Sequence, residues 1–130
     1  MEGDRLRLEI FPHDLEASRA FYCDVLSFGV VDARSAAGHL FLAKRRVLIT
    51  LTDRSHLDEN HLACEAPKGE GYGVGVEFVI PVHDLNGLQK TLRALAYPIQ
   101  TELTQRPWAQ KDSRLLDPDG LYFRSTENAA

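Results

Sequence analysis

Leu6, Leu8 and Ile10 alternate with Arg7, Glu9 and Phe11, the period of two that a strand shows when one of its faces lies on a core. Leu15, Ser18, Phe21, Tyr22, Val25 and Leu26 then recur at spacings of three and four, a helical stripe that Gly29 is expected to end. The same pattern returns downstream. Val76, Phe78 and Ile80 alternate with Glu77, Val79 and Pro81, and Leu85, Leu88, Leu92 and Leu95 carry a second stripe ended by Tyr97-Pro98. Short strands are predicted after each helix, at Leu40–Ala43 and Val47–Thr52 in the first half and at Ser113–Leu116 and Leu121–Thr126 in the second.

The recurrence is positional as well as periodic. Ile10-Phe11-Pro12-His13-Asp14-Leu15 matches Ile80-Pro81-Val82-His83-Asp84-Leu85 at an offset of 70, with Ile, His, Asp and Leu identical. Asp14 and Asp84 stand at the N-cap of each helix, where a carboxylate accepts from free first-turn amides. The ends match too, Leu48–Asp53 aligning with Tyr122–Glu127. The spacing therefore predicts an α+β fold of two tandem βαβββ modules within a single domain over residues 1–130, with module 1 at about 4–53, a polar connector at about 54–73 and module 2 at about 74–127. Each module has a helix on one face of its sheet and nothing on the other, so the two are expected to combine into curved mixed sheets around a cleft, helices outside.

Composition narrows the function classes. A net charge of −4 offers no basic stripe for nucleic acid, and five acids against Arg54 and Lys68 concentrate −3 of it between Asp53 and Glu70. The longest apolar runs, such as Val47-Leu48-Ile49, are strand-sized, which argues against a membrane partner. The charged start, Met1-Glu2-Gly3-Asp4-Arg5, leads into no signal-like apolar region, and Cys23 and Cys64 form no disulfide framework, so a cytoplasmic location is expected.

Paired βαβββ modules, His-Asp-Leu opening each helix and Asp117-Pro118-Asp119-Gly120 turning into the last strand together resemble the glyoxalase/bleomycin-resistance/dioxygenase (vicinal oxygen chelate) superfamily over nearly the whole chain. Arg106-Pro107-Trp108 followed by Leu115-Leu116-Asp117-Pro118-Asp119-Gly120 is most similar to the bleomycin-resistance branch, with Ala109 where that branch usually has glycine and Ser113 where it commonly has Phe. In metal-using members, the resemblance implies His and Glu ligands from the first and last strand of each module. The matching positions here are Arg7, Thr50, Glu77 and Arg124. Only Glu77 has a metal-binding side chain, and a permanently charged guanidinium repels a cation, so no metal and no cofactor are expected.

Arg7 and Arg124 flanking Glu77, with Glu9 balancing the charge, are read in two ways: as an ion-pair network holding the cleft floor, or as a site that keeps an Arg free for an anionic or carbonyl-bearing ligand. Trp108, Tyr122 and Phe11 are candidates for stacking on a flat ligand, and Arg114 and Asp112 share the inward parity of their strand. None of the five histidines falls at a ligand position. His13 and His83 precede the caps, His56 and His61 lie in the acidic connector, and His39 is expected to be exposed before a strand. There is no Gly-x-Ser-x-Gly nucleophile and no His beside either cysteine. The resulting expectation is a small-molecule binder, used for drug or metabolite sequestration and homodimeric as the resemblance implies. The alternative is a lyase, isomerase or dioxygenase of the same superfamily, working through a metal held differently or through acid/base chemistry at Glu77.

Overall fold

The computed structural model describes residues 6–32, 35–61, 75–98, 101–105 and 111–127. The chain divides into two compact units, Met1–Ala66 and Pro67–Ala130. The first carries β1 (Leu6–Ile10), α1 (Leu15–Arg19), β2 (Gly29–Val30), β3 (His39–Lys44) and β4 (Val47–Thr52), in the sheet order β1-β4-β3-β2. The second carries β5 (Phe78–Val82), α2 (Leu85–Ala94), β6 (Thr101–Gln105), β7 (Lys111–Leu116) and β8 (Tyr122–Glu127), in the order β5-β8-β7-β6. In both, the first strand runs parallel to the last and the remaining pairs are antiparallel. The register repeats as well. Ile10 pairs with Leu51 and Ile80 with Ser125, which are equivalent positions of the sequence repeat.

Strand alternation decides what each sheet buries. Ile10, Leu42, Ile49 and Leu51 are buried on one face of the first sheet, and Phe21, Tyr22, Val25 and Leu26 complete that core. The rings of Phe21 and Tyr22 meet edge to face at 5.0 Å, and Phe28 lies 6.3 Å from Tyr22 in the same manner. To carry these rings the helix widens after α1 into a π-helical segment, Ala20–Val25, where the Leu26 amide donates to the Phe21 carbonyl at 3.1 Å, five residues back. In the second unit, α2 packs on β6, β7 and β8, burying Leu85, Leu88 and Leu92 with Ile80, Val82, Leu115 and Phe123.

The helix ends differ from the sequence expectation. Gly29 does not stop the first helix but opens β2. The left-handed turn falls on Ser27 (φ 66°), and Lys44 Nζ donates to the Leu26 carbonyl at 2.8 Å, supplying the partner that the end of the helix lacks. Burial, and then the charge of Arg45, push the Lys44 ammonium below its ordinary value. In the second helix the left-handed residue is Ala96 (φ 53°), and Leu95 is 53% exposed rather than part of the apolar stripe. Tyr97 then donates its hydroxyl to the Leu116 carbonyl at 2.7 Å, and burial, followed by the charge of Asp117, pushes this phenol above its ordinary value.

The two caps also diverge. Asp14 Oδ1 accepts from the Ala17 amide at 3.1 Å, as expected of an N-cap. Asp84 stands at the cap but makes no side-chain cap bond; Glu127, from the end of β8, instead accepts from the Leu85 amide at 3.1 Å. Its repeat partner Asp53 is one methylene shorter and caps its own turn, accepting from the Ser55 amide at 2.9 Å. Asp14→Ala is accordingly expected to cost about 1 kcal/mol. Asp84→Ala should cost only a few tenths, because no bond is lost. Urea midpoints of the two variants check this contrast, and equal losses would contradict it.

Candidate functional site

The tight turn before β8 sets the aim of the residues that follow. Asp117 Oδ1 accepts from the Asp119 and Leu121 amides at 2.9 and 2.8 Å, and Gly120 takes φ 96°, a conformation that glycine adopts without a Cβ clash. With the turn fixed, Phe123 and Ser125 of β8 face α2, and Tyr122, Arg124 and Thr126 face the other way. Cross-strand pairing then places Arg114 directly opposite Arg124, Asp112 opposite Thr126, Leu116 opposite Tyr122, and Val79 beside Arg124 on its other flank.

Two guanidiniums facing each other across a ladder repel, and this face carries the groups that offset them. Arg124 Nε donates to Glu77 Oε1 at 3.2 Å, and its Nη1 lies 3.7 Å from Asp112 Oδ2. Arg114 donates from Nη1 to the Tyr122 hydroxyl at 3.0 Å, with Nη2 4.0 Å from the same Asp112 oxygen. Asp112 is thus shared by both guanidiniums, and only 1% of its side chain is exposed. Burial works against the charge on Arg114, but the hydrogen bond and charge of Tyr122, with the carboxylates of Asp112 and Glu77, outweigh it and hold the guanidinium above its ordinary value. Its Nε is buried and makes no hydrogen bond among the described residues.

The equivalent face of the first sheet is quieter. Arg7 and Glu9, two apart on β1, form an exposed pair at 3.2 Å, a geometry worth at most about 1 kcal/mol. Thr50 is buried opposite Glu9, and its hydroxyl makes no hydrogen bond among the described residues. Phe11 meets His61 edge on at 5.0 Å, and its carbonyl accepts from Arg54 at 2.8 Å. His39 is not a free exposed residue ahead of a strand. It is the first residue of β3, its Nδ1 lies 3.2 Å from the Thr52 hydroxyl, and its ring stands 5.1 Å from that of His56.

Of the residues singled out in sequence, Glu77, Arg114, Tyr122 and Arg124 come together on one face with Asp112, Arg7 joins Glu9 with Thr50 across the ladder from Glu9, and Phe11 meets His61. Trp108 and Cys64 lie outside the described residues. The Glu127 cap and the His39, Thr52 and His56 contacts were not foreseen; the alignment of Glu127 with Asp53 was the available signal for the first. As a metal site the donor set does not fit. Glu77 is held by a guanidinium, Thr50 offers a hydroxyl, and among the described residues no three His, Cys, Asp or Glu side chains are grouped to hold an ion. Cys23, half-buried on the π-helical segment, has its thiol pushed up by burial, against the influence of Arg19, which makes it a poor nucleophile.

Solved structures share this architecture. A lactoylglutathione lyase from Agrobacterium tumefaciens aligns over 98% of this chain and 95% of its own with a TM-score of 0.67 at 20% identity. TioX from Micromonospora sp. ML1 aligns over 98% of this chain and 100% of its own, at a TM-score of 0.73 and 16% identity. A glyoxalase/bleomycin resistance protein/dioxygenase family enzyme from Burkholderia phytofirmans PsJN covers 93% of this chain and 95% of its own, at a TM-score of 0.75 and 18% identity. At these identities the likeness shows the fold. No protein of curated function matches the chain. The profile of the Glyoxalase/Bleomycin resistance protein/Dioxygenase superfamily matches residues 6–124, so with its two βαβββ units the chain belongs to that superfamily.

Proposed function

We propose that this protein is a small-molecule binder that seats its ligand on the face of the β5-β8-β7-β6 sheet opposite α2, with Arg124, Arg114 and Tyr122 as the recognition groups. The observation that supports it is the opposed Arg114–Arg124 pair. Placing like charges directly across a ladder is destabilising, and a purely structural sheet face has no need of it. Hydrogen-bonded to Glu77 and Tyr122 and lying within 4.0 Å of the Asp112 carboxylate, the two guanidiniums are pre-oriented, so little side-chain ordering remains to be done on binding. Planar guanidiniums recognise carboxylates and carbonyl-bearing rings through paired N–H donors, and the exposed side chains of Val79 and Leu116 on the same face offer apolar contact beside them. Capture without chemistry, as in sequestration of a drug or metabolite, is the role that this arrangement suits.

A thermal-shift screen of carboxylate, neutral and cationic compounds tests the reading, run in parallel on the native protein and on Arg124→Ala. A ligand at about a hundred times its dissociation constant should stabilise the native protein by about 2.7 kcal/mol and leave the variant's melting temperature nearly unmoved. The reading fails if no compound stabilises the native protein, or if every hit stabilises both proteins equally.

A further inference from the structure

We propose that the Glu77 carboxylate is a built-in placeholder, occupying the seat on Arg124 that the carboxylate of a small apolar monocarboxylate ligand takes when it binds and displaces it. This rests on the preceding reading of the face as a binding site and adds the class of ligand and how the site is kept occupied without one. The two carboxylates that serve the guanidiniums are held very differently. Asp112 lies within 4.0 Å of both, with 1% of its side chain exposed, on a strand paired on both sides. Glu77 stands just ahead of β5, outside any strand, with 32% of its side chain exposed and one bond to Arg124. That bond, at 3.2 Å, is longer than the roughly 2.7–2.9 Å of a strong charge-assisted pair. Asp112 lies farther from both guanidiniums, at 3.7 and 4.0 Å, but its burial and the ladders on both sides of β7 fix it in place, so the part-exposed Glu77 is the carboxylate that can leave.

Charge decides what replaces it. With Glu77 in place, two guanidiniums face two carboxylates and the group is neutral. When Glu77 swings into water, two guanidiniums are left with Asp112, and among the described residues the group carries one uncompensated positive charge. A single carboxylate restores neutrality, whereas a cation meets repulsion and a dianion overshoots. The buried Nε of Arg114, without a hydrogen bond among the described residues, marks a second donor at this face that Glu77 does not serve. Val79 and Leu116, 42% and 38% exposed on the same face, favour an apolar group attached to that carboxylate.

Calorimetric titration with phenylacetate, and with its neutral isostere phenylacetamide, tests the displacement on the native protein, Glu77→Gln and Glu77→Ala. Without the competing carboxylate, phenylacetate should bind both variants about tenfold more tightly than the native protein, and phenylacetamide should show no such gain. The second variant guards against a fold defect in the first. Equal or weaker phenylacetate binding in whichever variants fold overturns the placeholder. If neutral compounds from the screen bind at Arg124 while phenylacetate binds no form of the protein, the placeholder falls and the binding-protein reading stands. If nothing binds at Arg124, both fall.

Discussion

Asp112→Ala is expected to lower the unfolding free energy by about 3–5 kcal/mol, the cost of removing one partner from a buried ion pair. Asp112 is fully buried and, among the described residues, is the one carboxylate within 4.0 Å of both Arg114 and Arg124. Without it, the two guanidiniums oppose each other across β7 and β8, with the Glu77 carboxylate and the Tyr122 hydroxyl as their remaining partners among the described residues. Asp112 is fully buried, so the space it vacates is not in contact with solvent that could take over its role. A double-variant cycle separates the charge from the packing. Adding Arg114→Met to Asp112→Ala should return a substantial part of the loss, since one of the opposed charges goes with it. Denaturant midpoints with unchanged slopes give the measurement. A loss below about 1 kcal/mol would mean that Asp112 acts only as an exposed pair would.

Phe123→Ala should cost a similar 3–5 kcal/mol for a different reason. Phe123 is adjacent to Arg124 on β8 but points to the α2 side, where it is fully buried with its ring 5.2 Å from Phe78. Truncation leaves a cavity among Leu85, Leu92 and Leu115, which are also buried to 1% or less. The two neighbours thus separate stability from recognition. Phe123→Ala, studied in conditions where it stays folded, should retain ligand affinity, whereas Arg124→Ala should lose it. A Phe123→Ala protein as stable as the native one would mean that Phe123 does not face α2 and that β8 alternates in the opposite register.

That alternation was the part of the molecule most open to reading from sequence. The match of Ile10 with Ile80 and of Leu48–Asp53 with Tyr122–Glu127 carried both sheets, because a one-residue slip of a strand with a period of two and one buried face would turn its apolar side to water. The same parity put Glu77, Asp112, Arg114, Tyr122 and Arg124 on one face. Sequence could not show which acid serves which guanidinium, since that depends on side-chain reach across three strands. Asp112 was visible only as a parity match, and its burial between two arginines is a tertiary fact.

The helix ends were less legible. Gly29 is the residue that a helix stop invites, yet Ser27 takes the left-handed turn because Lys44 reaches the last carbonyl from β3, a contact 18 residues distant. Asp84 has the identity and place of a cap, but the carboxylate that accepts from the Leu85 amide comes from Glu127, 42 residues beyond Leu85. Local patterns identify positions that need a partner, and the fold decides which residue supplies it.

On the proposed function, a carboxylate ligand binds at the Arg114–Arg124 face of the second sheet. Titrating phenylacetate into isotopically labelled protein and following the arginine side-chain Nε–H signals together with the backbone amides tests it most directly. Saturable shifts at the Nε–H of Arg124 and Arg114 and at the amides of β7 and β8, absent in Arg124→Ala, are the expected result. Shifts confined to the first sheet around Arg7 and Glu9, or no saturable shift at any ligand concentration, would contradict it.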